Sequence, residues 1–126
     1  MIIVVDGNDG TGKSTLVKKL LKKGYKVRDR GLPTKLTDNH NLKPVKNEFY
    51  VILDAPVEVC TSRLKKAGRN LGEKYHTNED LKYYRKRFLE VAKQLKGHSI
   101  IVDASKNPSE VLRSTIEIIK KEKQKS

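Results

Sequence analysis

At 126 residues the chain has the length of one domain with a single core, and 28 basic against 15 acidic residues give it a net charge of +13. Such a surplus favours anionic partners, although lysines that solubilise helix faces (Lys18, Lys19, Lys22, Lys23) and a basic tail over 120–126 account for most of it. A single cysteine, Cys60, excludes an internal disulfide and offers no metal cluster. No apolar run approaches a membrane span, and a first strand starting at residue 2 leaves no room for a signal peptide. A cytoplasmic protein without a membrane partner is expected.

Ile2-Ile3-Val4-Val5 is a β-branched run, the pattern of a parallel strand buried on both faces. It leads into Gly7-Asn8-Asp9-Gly10-Thr11-Gly12-Lys13-Ser14, which reads G-x-x-x-x-G-K-[ST], with Thr15 behind it. The glycines let the backbone wrap so that N–H groups point inward at a polyphosphate. Lys13 is suited to reach the β- and γ-phosphates, and the Ser14 hydroxyl to hold Mg²⁺. Leu16, Val17, Leu20 and Leu21 then repeat at helical spacing until Gly24. Strand before and helix after place the phosphates at a helix N-terminus, where free N–H groups and the dipole favour anions.

Tyr25 to Arg30 reads as a short second strand ending in an Asp-Arg pair, and Gly31 to Glu48 as a long irregular loop. Phe49 to Asp54 is the third strand, and Pro56 opens the next helix, with Cys60, Leu64 and Ala67 on its apolar face. Arg69 to His76 is polar, and Thr77-x-x-Asp80 resembles a capping box. Behind it, Leu81, Tyr84, Phe88, Val91 and Leu95 are spaced 3, 4, 3 and 4 apart, a clear amphipathic helix. Ser99 to Asp103 is the fourth strand, and Asn107-Pro108-Ser109-Glu110 caps a last helix with Val111, Leu112, Thr115, Ile116 and Ile119 inward. Alternating strands and helices imply an α/β fold, a three-layer sandwich around a small parallel sheet of about four strands. Ligand groups should gather beyond the carboxyl ends of its strands. His40 and His76 carry no pattern and are expected in solvent. Asp54 reads as a helix-entry cap, and Cys60 as a small core residue.

In this order the motifs resemble the thymidylate kinase family of nucleoside monophosphate kinases. Asp6 to Thr15 is close to that family's phosphate loop, including the acid at Asp9. Leu53-Asp54-Ala55-Pro56-Val57-Glu58 matches its L-D-x-P-x-E turn. Arg63-Leu64, a lid over Arg69–Glu73, Arg85, Arg87 and Phe88, and Val102-Asp103-Ala104-Ser105 follow in family order. The family carries a further strand and helices between its first helix and its Asp-Arg strand, and those are missing here. Acceptor-binding residues from that region therefore do not carry over.

The resemblance implies a P-loop NTPase fold over 1–126 with a lid at about 69–77, using ATP and Mg²⁺. It implies a donor site of Gly7, Asn8, Gly10, Thr11, Gly12, Lys13, Ser14, Thr15, Arg63 and Ser105, with Arg63 stacking on the adenine. Ser14 and Asp29 would hold the metal. Lys13, Asp9, Arg30 and Arg69 would form the catalytic set, the three cations acting on the transferring phosphate. Asp9 resembles the acid that contacts the acceptor's sugar, and its sequence context equally allows a brace of the loop. Some family members place an arginine at position 10; glycine there leaves the lid, through Arg69, to supply that cation. The acceptor site is expected from Gly31–Glu48 together with the lid. A deoxynucleoside monophosphate is the favoured acceptor; a nucleoside or polynucleotide 5′ end, or a non-catalytic nucleotide-binding module, remain alternatives. Nucleic acid is an open but less favoured partner, and a homodimer is open.

Overall fold

Two apolar runs form the centre of the sheet because neither can leave a face in water. In the computed structural model, which describes residues 1–29 and 43–124, β1 (Ile2–Gly7) lies between β2 (Val27–Asp29) and β3 (Glu48–Asp54). β4 (Ser99–Asp103) adds to the far side of β3, giving the order β2-β1-β3-β4 with every pair parallel. Ile3 pairs with Val27 on one side and with Phe49 on the other. The chain thus leaves β1 in both directions, and the crevice at its carboxyl end is the switch point of the sheet.

Alternation along β1 and β3 divides the core in two. Ile3, Val5, Phe49, Val51 and Leu53 cluster with Leu16 and Leu20 of α1 (Lys13–Lys22) and Val111 and Ile119 of α4 (Pro108–Gln124). Val4 and Tyr50 on the opposite face meet Val91 and Leu95 of α3 (Asn78–Gln94) or its end, while Ile52 meets Phe88 and Ala92. Helices on both faces of a four-stranded parallel sheet are the three layers that the sequence implies. Each fully buried side chain of this kind contributes about 1.5–3 kcal/mol, so these two faces dominate the stability. Helix α2 (Val57–Lys66) joins the first cluster through Val57, Cys60 and Leu64, and packs against α3.

Element ends follow the sequence closely, with physical exceptions. The second strand is Val27–Asp29, shorter than Tyr25–Arg30, and Arg30 to residue 42 lie outside the described residues. Pro56 stands one residue before α2, as its cap position. Thr77 Oγ1 accepts from the Asp80 N–H (3.1 Å), but the Asp80 carboxylate turns to the Tyr75 N–H (2.8 Å), so the box braces the lid. Asn107 and Glu110 cap α4 reciprocally at 3.0 Å each. The basic tail continues as helix to Gln124, with Lys123 Nζ over the Tyr25 ring at 5.2 Å.

A polar network lies within the core. The fully buried Tyr50 donates its hydroxyl to Glu48 Oε1 (2.7 Å) and accepts from the Val45 N–H (3.0 Å). Glu48 Oε2 takes the Arg28 guanidinium at 2.6 Å, tying the entry to β3 across the sheet to β2. Burial, with the Glu48 bond adding to it, pushes the Tyr50 phenol up. Tyr50→Phe leaves the buried Glu48 oxygen and the Val45 N–H one partner short, and is expected to cost about 1–3 kcal/mol in urea unfolding. An unchanged midpoint would show that water replaces the hydroxyl.

Candidate functional site

The loop between β1 and α1 sits at the switch point and is braced from within. Gly7 N–H donates to Asp6 Oδ1 (2.8 Å), and Thr11 Oγ1 donates to the Asn8 carbonyl (2.7 Å). Asn8, expected at the nucleotide, is buried and gives its side-chain N–H to the Leu81 carbonyl (2.7 Å), fastening the loop to α3. Beneath the loop lies Cys60 of α2: a Cβ on Gly10, at φ +85°, would stand 2.7 Å from the Cys60 carbonyl oxygen. An arginine at position 10 has no room in this packing. The cost of α2's approach is a glycine, and the benefit is a loop backed by a helix.

Helix α1 begins at Lys13 with no side-chain cap and no acidic residue in its first turn. Its first N–H groups are therefore left for an anion. Lys13 is not exposed: at 9% it folds back, donating to the Gly7 carbonyl at 2.6 Å, with Asp9 Oδ1 at 3.5 Å and Asp6 Oδ1 at 3.9 Å. Ser14 and Thr15 are exposed beside it. Together with Asp9, Arg69 and His76 these residues line a cleft of about 240 Å³. It shares Gly10, Gly12, Thr15, Leu64 and Arg69 with a second cleft of about 390 Å³ walled by Leu16, Leu64, Ala67 and Val111, with Thr11, Lys106 and Pro108 at its edges. A polar cleft at a helix N-terminus beside an apolar slot matches a polyphosphate followed by a base.

The expected donor residues divide. Arg63 reaches the slot's wall, donating to the carbonyls of Gly10 (3.3 Å) and Lys106 (3.2 Å). Arg69 lines both clefts, placed by the end of α2, where its N–H bonds to the Leu64 carbonyl (3.0 Å). Ser105 lies apart, donating hydroxyl (2.6 Å) and N–H (2.9 Å) to Asp103 Oδ1, which holds the Asp103 carboxyl below the usual range. Asp29 is exposed at the end of β2, opposite Val5. Arg30, the other half of that pair, lies outside the described residues.

Two expectations change. Asp54 is not a helix cap; its carboxylate takes Arg85 Nε (2.9 Å) and a second guanidinium nitrogen (3.1 Å), joining β3 to α3. Arg87, two residues on, pairs with Glu90. His76 is buried, not solvated, with Nε2 3.1 Å from Asp9 Oδ2. Histidine in a polar lid gave no local signal for a partner 67 residues away.

Comparison with known proteins follows this geometry. Over 87 residues the chain is 36% identical to the probable thymidylate kinase 1 of Saccharolobus solfataricus, matching 69% of this chain and 42% of that protein. The chain is thymidylate kinase-like in its P-loop fold. It spans less than half the length of that curated relative. YorR of Bacillus subtilis, solved with phosphorylated GDP, superimposes with a TM-score of 0.73 at 17% identity, covering 98% of both chains. Deoxyadenosine kinase of M. mycoides, solved with the products dCMP and a flexible dCDP, gives 0.66 at 15% identity over 96% of this chain and all of that one (100%). No protein-family model matches the chain.

This kinase-like frame has a third cleft, of about 260 Å³, on the other side of Lys13 and Asp9. Its far wall is Tyr75 of the lid with Tyr84 and Phe88 of α3. The Tyr75 and Tyr84 rings are 5.2 Å apart, and Lys74 Nζ lies 5.1 Å from the Tyr75 centroid. The sequence placed Tyr84 and Phe88 in a core stripe, which hid the edge they turn to this cleft.

Gly10→Ala must adopt φ +85° and also displace the Cys60 carbonyl, whereas Gly12, at φ +89°, has nothing within 4 Å of its Cβ position. Gly12→Ala is expected to cost about 1–2 kcal/mol in urea unfolding and Gly10→Ala clearly more. Equal losses would mean that α2 yields at no cost.

Proposed function

We propose that the chain is a Mg²⁺-dependent phosphotransferase that moves the γ-phosphate of ATP to a nucleotide, with a deoxynucleoside monophosphate as the favoured acceptor. The carrying observation is that Lys13 and Asp9 line both the phosphate cleft and the aromatic-walled cleft. A donor held on one side and an acceptor on the other would meet at one lysine. The names of the similar proteins, thymidylate kinase and deoxyadenosine kinase, support a nucleotide or nucleoside acceptor.

On this reading the α1 N–H groups and the loop receive the polyphosphate, and Lys13 exchanges the Gly7 carbonyl for a phosphate oxygen. The apolar slot takes the adenosine against Arg63. Among the described residues no three His, Cys, Asp or Glu side chains cluster for a metal. Mg²⁺ takes few protein ligands and relies on phosphate oxygens and water, and Ser14 and Asp29 would be the protein's share. The ion would neutralise charge between the β- and γ-phosphates. An acceptor oxygen attacks the γ-phosphorus in line while the bond to the ADP oxygen breaks, and Arg69 faces the developing charge. Asp9 is engaged by Lys13 and His76, so it is not free to take a hydroxyl proton. A monophosphate attacks through an oxygen that is already anionic and needs no such base. This favours a monophosphate over a nucleoside. No helix among the described residues is long and apolar enough to cross a membrane.

Labelled-phosphate transfer from ATP to monophosphates, nucleosides and oligonucleotides is the deciding experiment. Transfer to a monophosphate supports the reading; labelled oligonucleotide would make the chain a polynucleotide 5′-kinase, and ATP binding without transfer a non-catalytic module. Lys13→Ala is expected to lower transfer by about 100-fold or more while unfolding stays cooperative. Wild-type turnover in that variant would remove the kinase assignment. Arg69→Ala should lower kcat by about tenfold or more with ATP affinity nearly unchanged. Were affinity to fall and kcat to hold, the arginine would be a ground-state contact.

A further inference from the structure

His76 has surroundings that phosphoryl transfer does not explain. Its ring is buried between the lid and the phosphate loop, with Nε2 3.1 Å from Asp9 Oδ2 and Nδ1 3.2 Å from the Asn70 carbonyl oxygen. Glu73 Oε2 stands 3.7 Å from Nδ1. A main-chain carbonyl accepts only, and an ionised carboxylate accepts only. For both contacts to be hydrogen bonds, each ring nitrogen must carry a hydrogen, and a ring with two N–H groups is an imidazolium. The other Asp9 oxygen faces Lys13 Nζ at 3.5 Å, so the loop's acid lies between a cation of α1 and one of the lid. Further charged groups nearby, among the described residues, are Arg69, on the wall of the same cleft, and Asp80 of α3, which accepts from the neighbouring Tyr75 N–H.

We propose that His76 is a positioning residue: as an imidazolium it pins the lid to the Asp9 carboxylate, which makes closure of the lid over the phosphate cleft proton-linked. The proposal rests on the kinase reading for what the lid covers, not for the latch. Arg69 and Tyr75 lie on the same lid, seven residues before His76 and one before it. Holding the ring therefore holds a wall of the phosphate cleft and a wall of the aromatic cleft. The sign is fixed by the geometry. Protonation supplies the second N–H, so closure is favoured at pH values below the titration of the ring and weakened as pH rises through it. The backbone turns of the lid, Glu73 N–H to the Asn70 carbonyl (3.2 Å) and His76 N–H to the Glu73 carbonyl (3.0 Å), preserve its shape but do not reach Asp9.

The test uses the full chain without nucleotide, reading ring-nitrogen NMR and amide exchange of the lid between about pH 5 and 8, the range where imidazole titrates. At the low end both His76 nitrogens are expected to carry hydrogen and the lid amides to be protected. As the ring loses a proton, protection corrected for intrinsic rates should fall about tenfold, the loss of one hydrogen bond to a charged group. His76→Gln keeps one N–H toward Asp9 and should give weak protection indifferent to pH. His76→Ala should leave the lid unprotected throughout, and its failure to fold would leave the ring spectra and the Gln variant to decide. In transfer assays the wild-type kcat/KM profile should follow the same titration, and that of His76→Gln should not. A ring with one bare nitrogen across the whole range overturns the proposal, as does lid protection that follows pH alike in wild type and His76→Gln. Failure of the kinase reading is distinguishable: a transfer-inactive chain with a pH-linked lid keeps the latch, and an active chain with a pH-indifferent lid discards it.

Discussion

Wrapping a backbone around an anion requires a loop free of side chains on its inner and supporting surfaces, and here that requirement propagates outward from Gly10. Its missing Cβ lets the loop rest on the Cys60 carbonyl of α2. The position of α2 then fixes the turn at Ala67–Arg69 and so brings Arg69 to the wall of the phosphate cleft. The same contact buries Cys60 fully, and that burial pushes its thiol up, keeping it a packing group and not a nucleophile. One absent methyl thus couples the shape of the loop, the seat of the helix and the entry to the lid.

Charge is handled differently at the site than over the surface. The chain carries +13 overall, yet around Lys13 the nearest charged groups are Asp6 and Asp9. A buried lysine with two carboxylates and a carbonyl at hand is held without a phosphate present, so the loop need not collapse around an unpaired cation. The basic surplus lies outside this group, with Arg63, Arg69 and Lys106 along the clefts, and a surplus of that sign favours anions.

The fold was legible because its signals are local. A β-branched run, a glycine-rich turn and a 3-4-3-4 stripe each lie within one element, and each element formed within a few residues of its expected bounds. The partners of charged side chains were not legible, because they join residues remote in sequence. Asp54 and Arg85 are 31 residues apart, and nothing near Asp54 distinguishes a carboxylate that caps a helix from one that clasps another. The motif describes the phosphate-bound task of Lys13, while its partners in this structure, Gly7 and Asp9, lie inside the motif itself. Arg30 and most of the loop behind it lie outside the described residues, so the Asp-Arg pair is represented here only by Asp29.

Helix α3 backs the phosphate loop and walls the aromatic cleft at once. Val91 and Leu95 fill the layer beneath Val4 and Tyr50, and Phe88 packs on Ile52 while also facing the aromatic cleft. At the same end of the helix the Leu81 carbonyl holds Asn8, and Arg85 holds Asp54. The wall of the cleft and the back of the loop are therefore parts of one rigid element, anchored by core packing that the fold requires anyway. The lid, reaching from α2 to α3, adds a second link to the direct packing of those helices, and it meets the loop where His76 faces Asp9.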